Sequence, residues 1–375
     1  MKERFHIKST AYIWAIKRAG LTVDDYMEKH KDSKVSEWIN LESCPTFKQL
    51  EKFAASVCVP VGYLFLETPP VETVAIPMFR GNAQSVAFDV NVYDTVNDIL
   101  RRQDWVSDYI RDNEIDHCDF VGSMRNVTSV AEIVSRMRSV LELDEMWASQ
   151  CRTQDEAVRR LAAQIENSLV FVFFNGVVGN NTRRVLSVSK CRGFSLSDNY
   201  APCIFVNNSD SKTAQMFTLI HELCHIFRGE SEGGAGDYGM SVSEEENICD
   251  KVAAEFLVPM RKLRELWDAN GASGISNLAK VFKVSELVVI RRAYDLRLIS
   301  SEEYRALYLK GKNSQSRSKT GSGGDFYRTS IKRVGRMFAS FVLSAKRNGR
   351  LTNSDAYRLT GLYGSTFDKF MTNNL

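Results

Sequence analysis

The chain has 375 residues, of which 44% are hydrophobic and 25% are charged, and its formal net charge is +3. This length is too great for one ordinary hydrophobic core, so we expect two to four domains, and the small net charge excludes a protein that is basic throughout. No apolar run reaches the roughly 18 residues of a transmembrane helix and no signal-peptide core is present, so we expect a cytoplasmic protein without membrane contact. The eight cysteines lack CxxC pairing, which suits free thiols in a reducing compartment.

Residues 1–70 carry the pattern of an all-α module. Thr22 and Asp25 have the spacing of a capping box, which predicts the start of a helix at residue 23. We expect short helices over residues 9–18, 23–30, 34–39 and 47–57 and a last turn over residues 60–65. Five short helical segments in about 65 residues are typical of a helix-turn-helix module.

Residues 71–260 combine helical patterns with short apolar runs, which predicts an α+β domain with a small sheet. The sequence ETPP at residues 67–70 marks the boundary before it. Residues 92–114 and 129–166 have helical periodicity, and residues 169–174 and 201–206 are expected to be strands, the second of them an edge strand. Two further helices are expected over residues 214–227 and 243–257, separated by a glycine-rich loop over residues 229–239.

Three segments follow this domain. Residues 261–310 predict a helical extension that again resembles a helix-turn-helix arrangement, and residues 311–325 form a basic, low-complexity linker. Residues 326–375 are expected to be a helical tail, with one amphipathic helix over residues 326–348.

The segment with the clearest chemistry lies in the helix expected over residues 214–227. His221 and His225 are separated by one helical turn, so both imidazoles can face one metal ion. Glu222 lies one step round the helix, where it can reach a water at the metal and act as general base. This is the HExxH arrangement of zinc peptidases. The alternative is an accidental occurrence of the motif in a core helix.

Zinc in such a site needs a third protein ligand and keeps one position open for water. Glu246, on the following helix, supplies a carboxylate, and Asp250 lies one turn later as an outer acceptor for a histidine N–H. Cys224 and Cys249 adjoin these positions and could be softer ligands, although small buried residues are the more usual reading of such cysteines. Tyr238 in the glycine-rich loop could donate to a developing oxyanion, or lie solvated in the loop.

These residues carry a resemblance to a known family. FTLIHELCH at residues 217–225 and ENICDKVAAEFLVP at residues 246–259 resemble the ImmA/IrrE metallopeptidases, and residues 192–202 and 204–207 look like the strands that precede their HExxH helix. The resemblance implies a minimal zincin-like domain with Zn2+ held by His221, His225 and Glu246, and Glu222 as general base. The family pattern usually has Asn where Asp250 stands, and Asp can still accept a hydrogen bond.

The N-terminal module resembles the Xre-type helix-turn-helix that is often fused to these peptidases. WAIKRAGLT at residues 14–22, Trp38, and PTFKQLEKFA at residues 45–54 carry this likeness. Only residues 31–36 separate the second helix from Trp38, so the recognition helix is expected to be short and few side chains could reach base edges. The module could therefore be a structural or protein-binding remnant rather than a DNA-binding domain.

The resemblance implies two functions. Some members of the family cleave a partner repressor in mobile elements or stress responses, which predicts a zinc endopeptidase acting on a cytoplasmic repressor or antitoxin. Others look like the regulatory half of a toxin–antitoxin pair, which predicts a DNA- or toxin-binding regulator that keeps the peptidase fold as a scaffold. The sequence leaves both open.

The C-terminal basic stretch adds a possible contact with nucleic acid. Residues 311–350 contain ten Lys or Arg and one Asp. Arg328, Lys332, Arg333 and Arg336 would cluster along one flank of the expected helix and could meet phosphates. A solubilising linker and a solvated helix face explain the same pattern equally well.

Overall fold

The structure is a computed structural model that describes residues 3–31, 33–76, 78–80, 89–235, 244–270, 274–315 and 326–373. The chain divides into two compact units. The first comprises Met1–Ala75 and Val86–Val96, and the second comprises Ile76–Ser85 and Asn97–Leu375. The fold is a mixed α+β fold, as the sequence predicted, and it is mostly helical. No described helix is long and apolar enough to cross a membrane.

The first unit is built from short helices around an aromatic core. Its elements are α1 (Ser9–Arg18), α2 (Val23–Lys29), α3 (Val35–Ile39), α4 (Phe47–Ser56) and a short 3-10 helix (Val61–Phe65). The predicted capping box at Thr22 is present, with the Thr22 hydroxyl accepting from the Asp25 N–H at 3.1 Å. Tyr12 packs against Trp38 and Phe53 in the core. The helices lie where the sequence predicts them, and the assignment of the unit as a helix-turn-helix module remains a prediction.

A small sheet forms the centre of the second unit. Its strands are β1 (Met78–Arg80), β2 (Phe171–Phe174), β5 (Gly193–Leu196), β6 (Cys203–Val206) and β7 (Gly233–Ala235), and a separate hairpin consists of β3 (Val177–Val178) and β4 (Asn181–Val185). The order in the sheet is β1-β7-β5-β6-β2, with β6 parallel to β2 and antiparallel to β5. The predicted strands at residues 169–174 and 201–206 correspond to β2 and β6.

Two expectations about this sheet are wrong. The strand at residues 201–206 was expected at an edge, but β6 lies between β5 and β2 and has both edges paired. The glycine-rich segment was expected to be a loop, but Gly233–Ala235 forms β7, which pairs with β5 and β1 through backbone hydrogen bonds. The rest of that segment, residues 236–243, lies outside the described residues.

Helices make up most of the second unit. They are α5 (Val90–Asp112), whose first residues belong to the other unit, α6 (Val130–Leu141), α7 (Gln154–Asn167), α8 (Lys212–Arg228), α9 (Glu244–Leu257), α10 (Met260–Asn270), α11 (Ile275–Phe282), α12 (Glu286–Asp295) and α13 (Ser301–Gln315). The helical pattern over residues 129–166 is divided between α6 and α7, with a short 3-10 helix between them. Residues of α10–α12 share one buried cluster with α8 and α9.

The C-terminal tail departs from the predicted single helix. It contains α14 (Phe326–Val334), α15 (Arg336–Arg347), α16 (Asn353–Thr360) and α17 (Gly364–Asn373). Gly335 ends α14 with a φ of 82°, and a Cβ there would lie 3.0 Å from the Phe173 ring and 3.1 Å from the Val172 carbonyl oxygen. The chain bends at this residue, where the positive φ favours glycine and a Cβ would be in unusually tight contact with β2. The expected basic flank is therefore wrong, since Arg336 lies on a different helix from Lys332 and Arg333.

Candidate metal centre

The HExxH residues lie on α8, most of which is buried. Ser211 caps the helix by accepting from the Ala214 N–H at 3.2 Å, and Gly229 ends it in the left-handed conformation. His221, Glu222 and His225 are each 1% exposed. Because buried polar groups require partners, these three side chains define a site rather than an exposed helix face.

The structure brings the two histidines and Glu246 close together. The Nε2 atoms of His221 and His225 are 3.2 Å apart, and the carboxylate oxygens of Glu246 lie 3.0 Å and 3.7 Å from them respectively. Tetrahedral zinc with bonds of roughly 2.0–2.1 Å places its ligand atoms about 3.3 Å apart. The donor set therefore fits zinc in both chemistry and spacing.

Two further carboxylates contact the opposite sides of the imidazoles. Asp250 lies 3.1 Å from Nδ1 of His221, and Glu230 lies 3.3 Å from Nδ1 of His225. A carboxylate at Nδ1 stabilises the tautomer with the proton on that nitrogen, which leaves the Nε2 lone pair directed towards Glu246. Asp250, the outer acceptor expected from the sequence, thus lies beside His221, and its role stays a prediction; Glu230 was not predicted.

The helix α9 positions both acidic residues that come from it. Glu246 lies in its first turn and Asp250 lies one turn later on the same face, directed at α8. Cys224 and Cys249 lie outside the group of His221, His225 and Glu246 that could hold a metal among the described residues. Both thiols are buried, and burial raises the pKa of Cys249, which favours the thiol over a metal-binding thiolate.

The candidate general base lies beside this group. Burial raises the pKa of Glu222 to about 8, with Glu246 adding to the increase, while His221 and Ser195 oppose it. Gly193 of β5 brings the sheet close to this carboxylate, since a Cβ on Gly193 would lie 3.5 Å from Oε1 of Glu222. The carboxylate is thus enclosed between α8 and β5.

The charges in the cluster are strongly coupled. Burial disfavours the charged form of His221, but hydrogen bonds to Asp250 and Glu246 outweigh it and raise its pKa. At Glu246 the hydrogen bond with His221 and the charges of His221 and His225 outweigh burial and hold its pKa well below the usual range. Burial lowers the pKa of His225. Burial and the neighbouring Glu246 raise the pKa of Glu232 to about 8. This excess of carboxylates around two imidazoles favours a bound cation.

Glu230 and Glu232 are the site residues that sequence analysis missed. With His225 they form a second group of potential ligand atoms within 4.8 Å of one another. The pKa of Glu230 is lowered, because its hydrogen bond with His225 and the charge of Arg228 outweigh burial. The available signal was Gly229, because a glycine directly after the helix predicts a tight reversal that returns the next residues to the last turn. Tyr238, the candidate oxyanion donor, lies outside the described residues.

Comparison with known proteins supports the resemblance over the region that contains the site. Residues 180–294, about a third of the chain, match the family described as the IrrE N-terminal-like domain (Peptidase_M78). Residues 334–373 match a domain of unknown function, DUF8813. No curated protein and no solved structure matches the chain. The IrrE N-terminal-like match covers every residue of the cluster and supports a relation to the ImmA/IrrE family and a possible metallopeptidase.

Proposed function

We propose that this chain is a zinc-dependent endopeptidase that cleaves a cytoplasmic protein partner such as a repressor or an antitoxin. The observation that carries the proposal is the tetrahedral spacing of the His221, His225 and Glu246 donor atoms beside the buried Glu222 carboxylate. His221, His225 and Glu246 would hold the zinc. When bound, zinc would polarise a substrate carbonyl and make water a stronger nucleophile.

The protein residues then position ligands and move protons. Asp250 keeps the proton of His221 on Nδ1, so that Nε2 remains a donor atom. Positive charge beside Glu222 would lower the pKa that burial has raised and make its carboxylate available to accept a proton. Glu222 would take the proton of the attacking water at a carboxylate oxygen and give it to the departing amine.

Replacing Glu222 with Gln tests this role directly. The change keeps the shape of the side chain and removes its ability to accept a proton, so zinc content should stay near one per chain while cleavage is lost. Cells that express the wild type should contain new protein N-termini that cells expressing Glu222→Gln lack. Glu245→Gln is the matched control, because Glu245 is exposed and carries the same charge one residue from Glu246. Equal N-terminal profiles for wild type and Glu222→Gln would overturn the proposal.

A second candidate function is a regulator that binds a partner protein and uses the peptidase fold as a scaffold. The first unit favours it. Its helix α3 has only five residues, which limits reach into a major groove. Phe47 and Phe65, which are 44% and 46% exposed, both contact the ring of Phe5. Exposed aromatic side chains are typical of protein interfaces. A Glu222→Gln protein that retained its full biological effect would favour this candidate.

A further inference from the structure

The turn that ends α8 returns the chain to the metal centre. Gly229 adopts a φ of 74°, its N–H donates to the Ile226 carbonyl at 2.9 Å, and the N–H of Glu230 donates to the His225 carbonyl at 2.9 Å. This pattern of bonds across a left-handed residue reverses the chain over the last helical turn. Glu230 is therefore placed by backbone hydrogen bonds beside His225.

The left-handed φ and the close packing both favour glycine in this turn. A Cβ on Gly229 would lie 2.7 Å from Nη2 of Arg125 and 3.0 Å from Cα of Gly122. The Gly122 N–H also donates to the Ile226 carbonyl at 3.0 Å, which attaches the neighbouring loop to the end of the helix. The position of Glu230 is thus set by the packed backbone around it.

The side chain of Glu230 is held from two directions. Its Oε2 atom lies 3.3 Å from Nδ1 of His225 and 3.5 Å from Nε of Arg228. Glu232 lies 3.8 Å from the same Nδ1 atom, beyond hydrogen-bond distance. Among the described carboxylates near His225, Glu230 is the one that can accept its Nδ1–H.

We propose that Glu230 is the positioning residue of His225, as Asp250 is for His221. Its carboxylate accepts the Nδ1–H of His225, which fixes the orientation of the ring and keeps the proton off the Nε2 donor atom. The inference rests on the proposed zinc site. It adds that each zinc-binding histidine has its own carboxylate at Nδ1. Loss of such an outer carboxylate typically weakens metal binding by about 10–100-fold.

The test compares zinc affinities of purified full-length proteins by competition with a chromophoric chelator. We expect Glu230→Ala to weaken zinc binding by about 10–100-fold and to change the visible spectrum of the Co2+-substituted protein, which reports ligand geometry. Glu230→Gln keeps a neutral acceptor at the same place, so its affinity should lie between those of wild type and Glu230→Ala. Glu245→Gln, which removes an exposed charge near the site, should bind zinc like the wild type.

The outcomes separate this inference from the zinc site itself. Wild-type protein that binds zinc with the same affinity and Co2+ spectrum as Glu230→Ala and Glu230→Gln would overturn the role of Glu230 alone. Wild-type protein that binds no zinc would overturn the proposed function as well. If Glu230→Ala does not fold, the near-isosteric Glu230→Gln provides the test. A zinc affinity of Glu230→Gln equal to that of the wild type would show that the charged acceptor is not needed and would overturn the inference. An equal loss in Glu245→Gln would assign the effect to general charge and also overturn the inference.

Discussion

Replacement of Gly193 by Ala tests the close approach between β5 and α8. A Cβ at this position would lie 2.3 Å from Cγ2 of Thr218 and 2.7 Å from the carbonyl oxygen of Phe205. The first contact is with a buried side chain, and the second is with the backbone of β6, which pairs with β5. In Gly193→Ala, β5 must therefore move away from α8. This shift occurs next to the carboxylate of Glu222.

The expected loss follows from the two contacts. Overpacking of a well-packed core typically costs about 1–3 kcal/mol, and two contacts well below van der Waals distance place Gly193→Ala at about 3 kcal/mol. Thr218→Ser removes Cγ2 while its hydroxyl can still donate to the Ala214 carbonyl, a bond of 3.0 Å in the wild type. The double variant should be less destabilised than the sum of the two single changes by about 1 kcal/mol. The recovery is only partial because the contact with the Phe205 carbonyl oxygen remains.

The measurement is the free energy of unfolding in urea. Gly62→Ala is the matched control, since nothing lies within 4 Å of a Cβ there and the residue does not have a positive φ. This control should change stability by less than about 1 kcal/mol, with a small gain possible through the unfolded chain. Equal stabilities of Gly193→Ala and Gly62→Ala would refute the argument from close approach.

Three further predictions concern protonation, a buried amide and the metal. Burial raises the pKa of Glu166 from 4.5 to about 7 against the opposing hydrogen bond from the Met337 N–H, so the folded state binds the proton more tightly. Stability should then fall by up to about 3 kcal/mol as pH rises from 4.5 to 7, and an unchanged pH profile in Glu166→Gln would contradict this. The buried amide of Asn207 donates to the carbonyls of Leu186 and Cys191, both at 2.9 Å, so Asn207→Ala should lose about 3 kcal/mol in urea unfolding; a loss below about 1 kcal/mol would show that the carbonyls find other partners. A chelator should lower the Tm of the zinc-loaded protein, because zinc at about 100 times its Kd adds about 2.7 kcal/mol; an unchanged Tm would argue against the site.

Local patterns made several structural expectations possible. The capping box of Thr22 and Asp25 depends on residues three apart, and its hydrogen bonds form within one turn. His221 and His225 are four residues apart, as are Glu246 and Asp250, so helical geometry alone places each pair on one face. The prediction of an α+β chain with strands at β2 and β6 is confirmed. It was possible because each of these segments is identified by its own periodicity and composition.

Other features depend on what each segment packs against. The strand at residues 201–206 has the same pattern at an edge or inside a sheet, and only the pairing of β6 with both β5 and β2 decides its place. Gly335 interrupts a continuous amphipathic pattern with a positive φ, at a point where a Cβ would be in unusually tight contact with Phe173. The strands that pair with β6 and the Phe173 ring near Gly335 are not adjacent in sequence to the segments that they contact. Hydrophobic periodicity therefore does not predict these contacts.

The candidate metal centre depends on both kinds of information. By itself the sequence determined which residues offer donor atoms, because one helical turn fixes the spacing of His221 and His225. Only the tertiary structure decided that α9 brings Glu246 within 3.0 Å of His221 and that the turn at Gly229 places Glu230 at 3.3 Å from His225. The reason is that helix periodicity fixes angles within one element, whereas distances between elements are set by packing of the whole core.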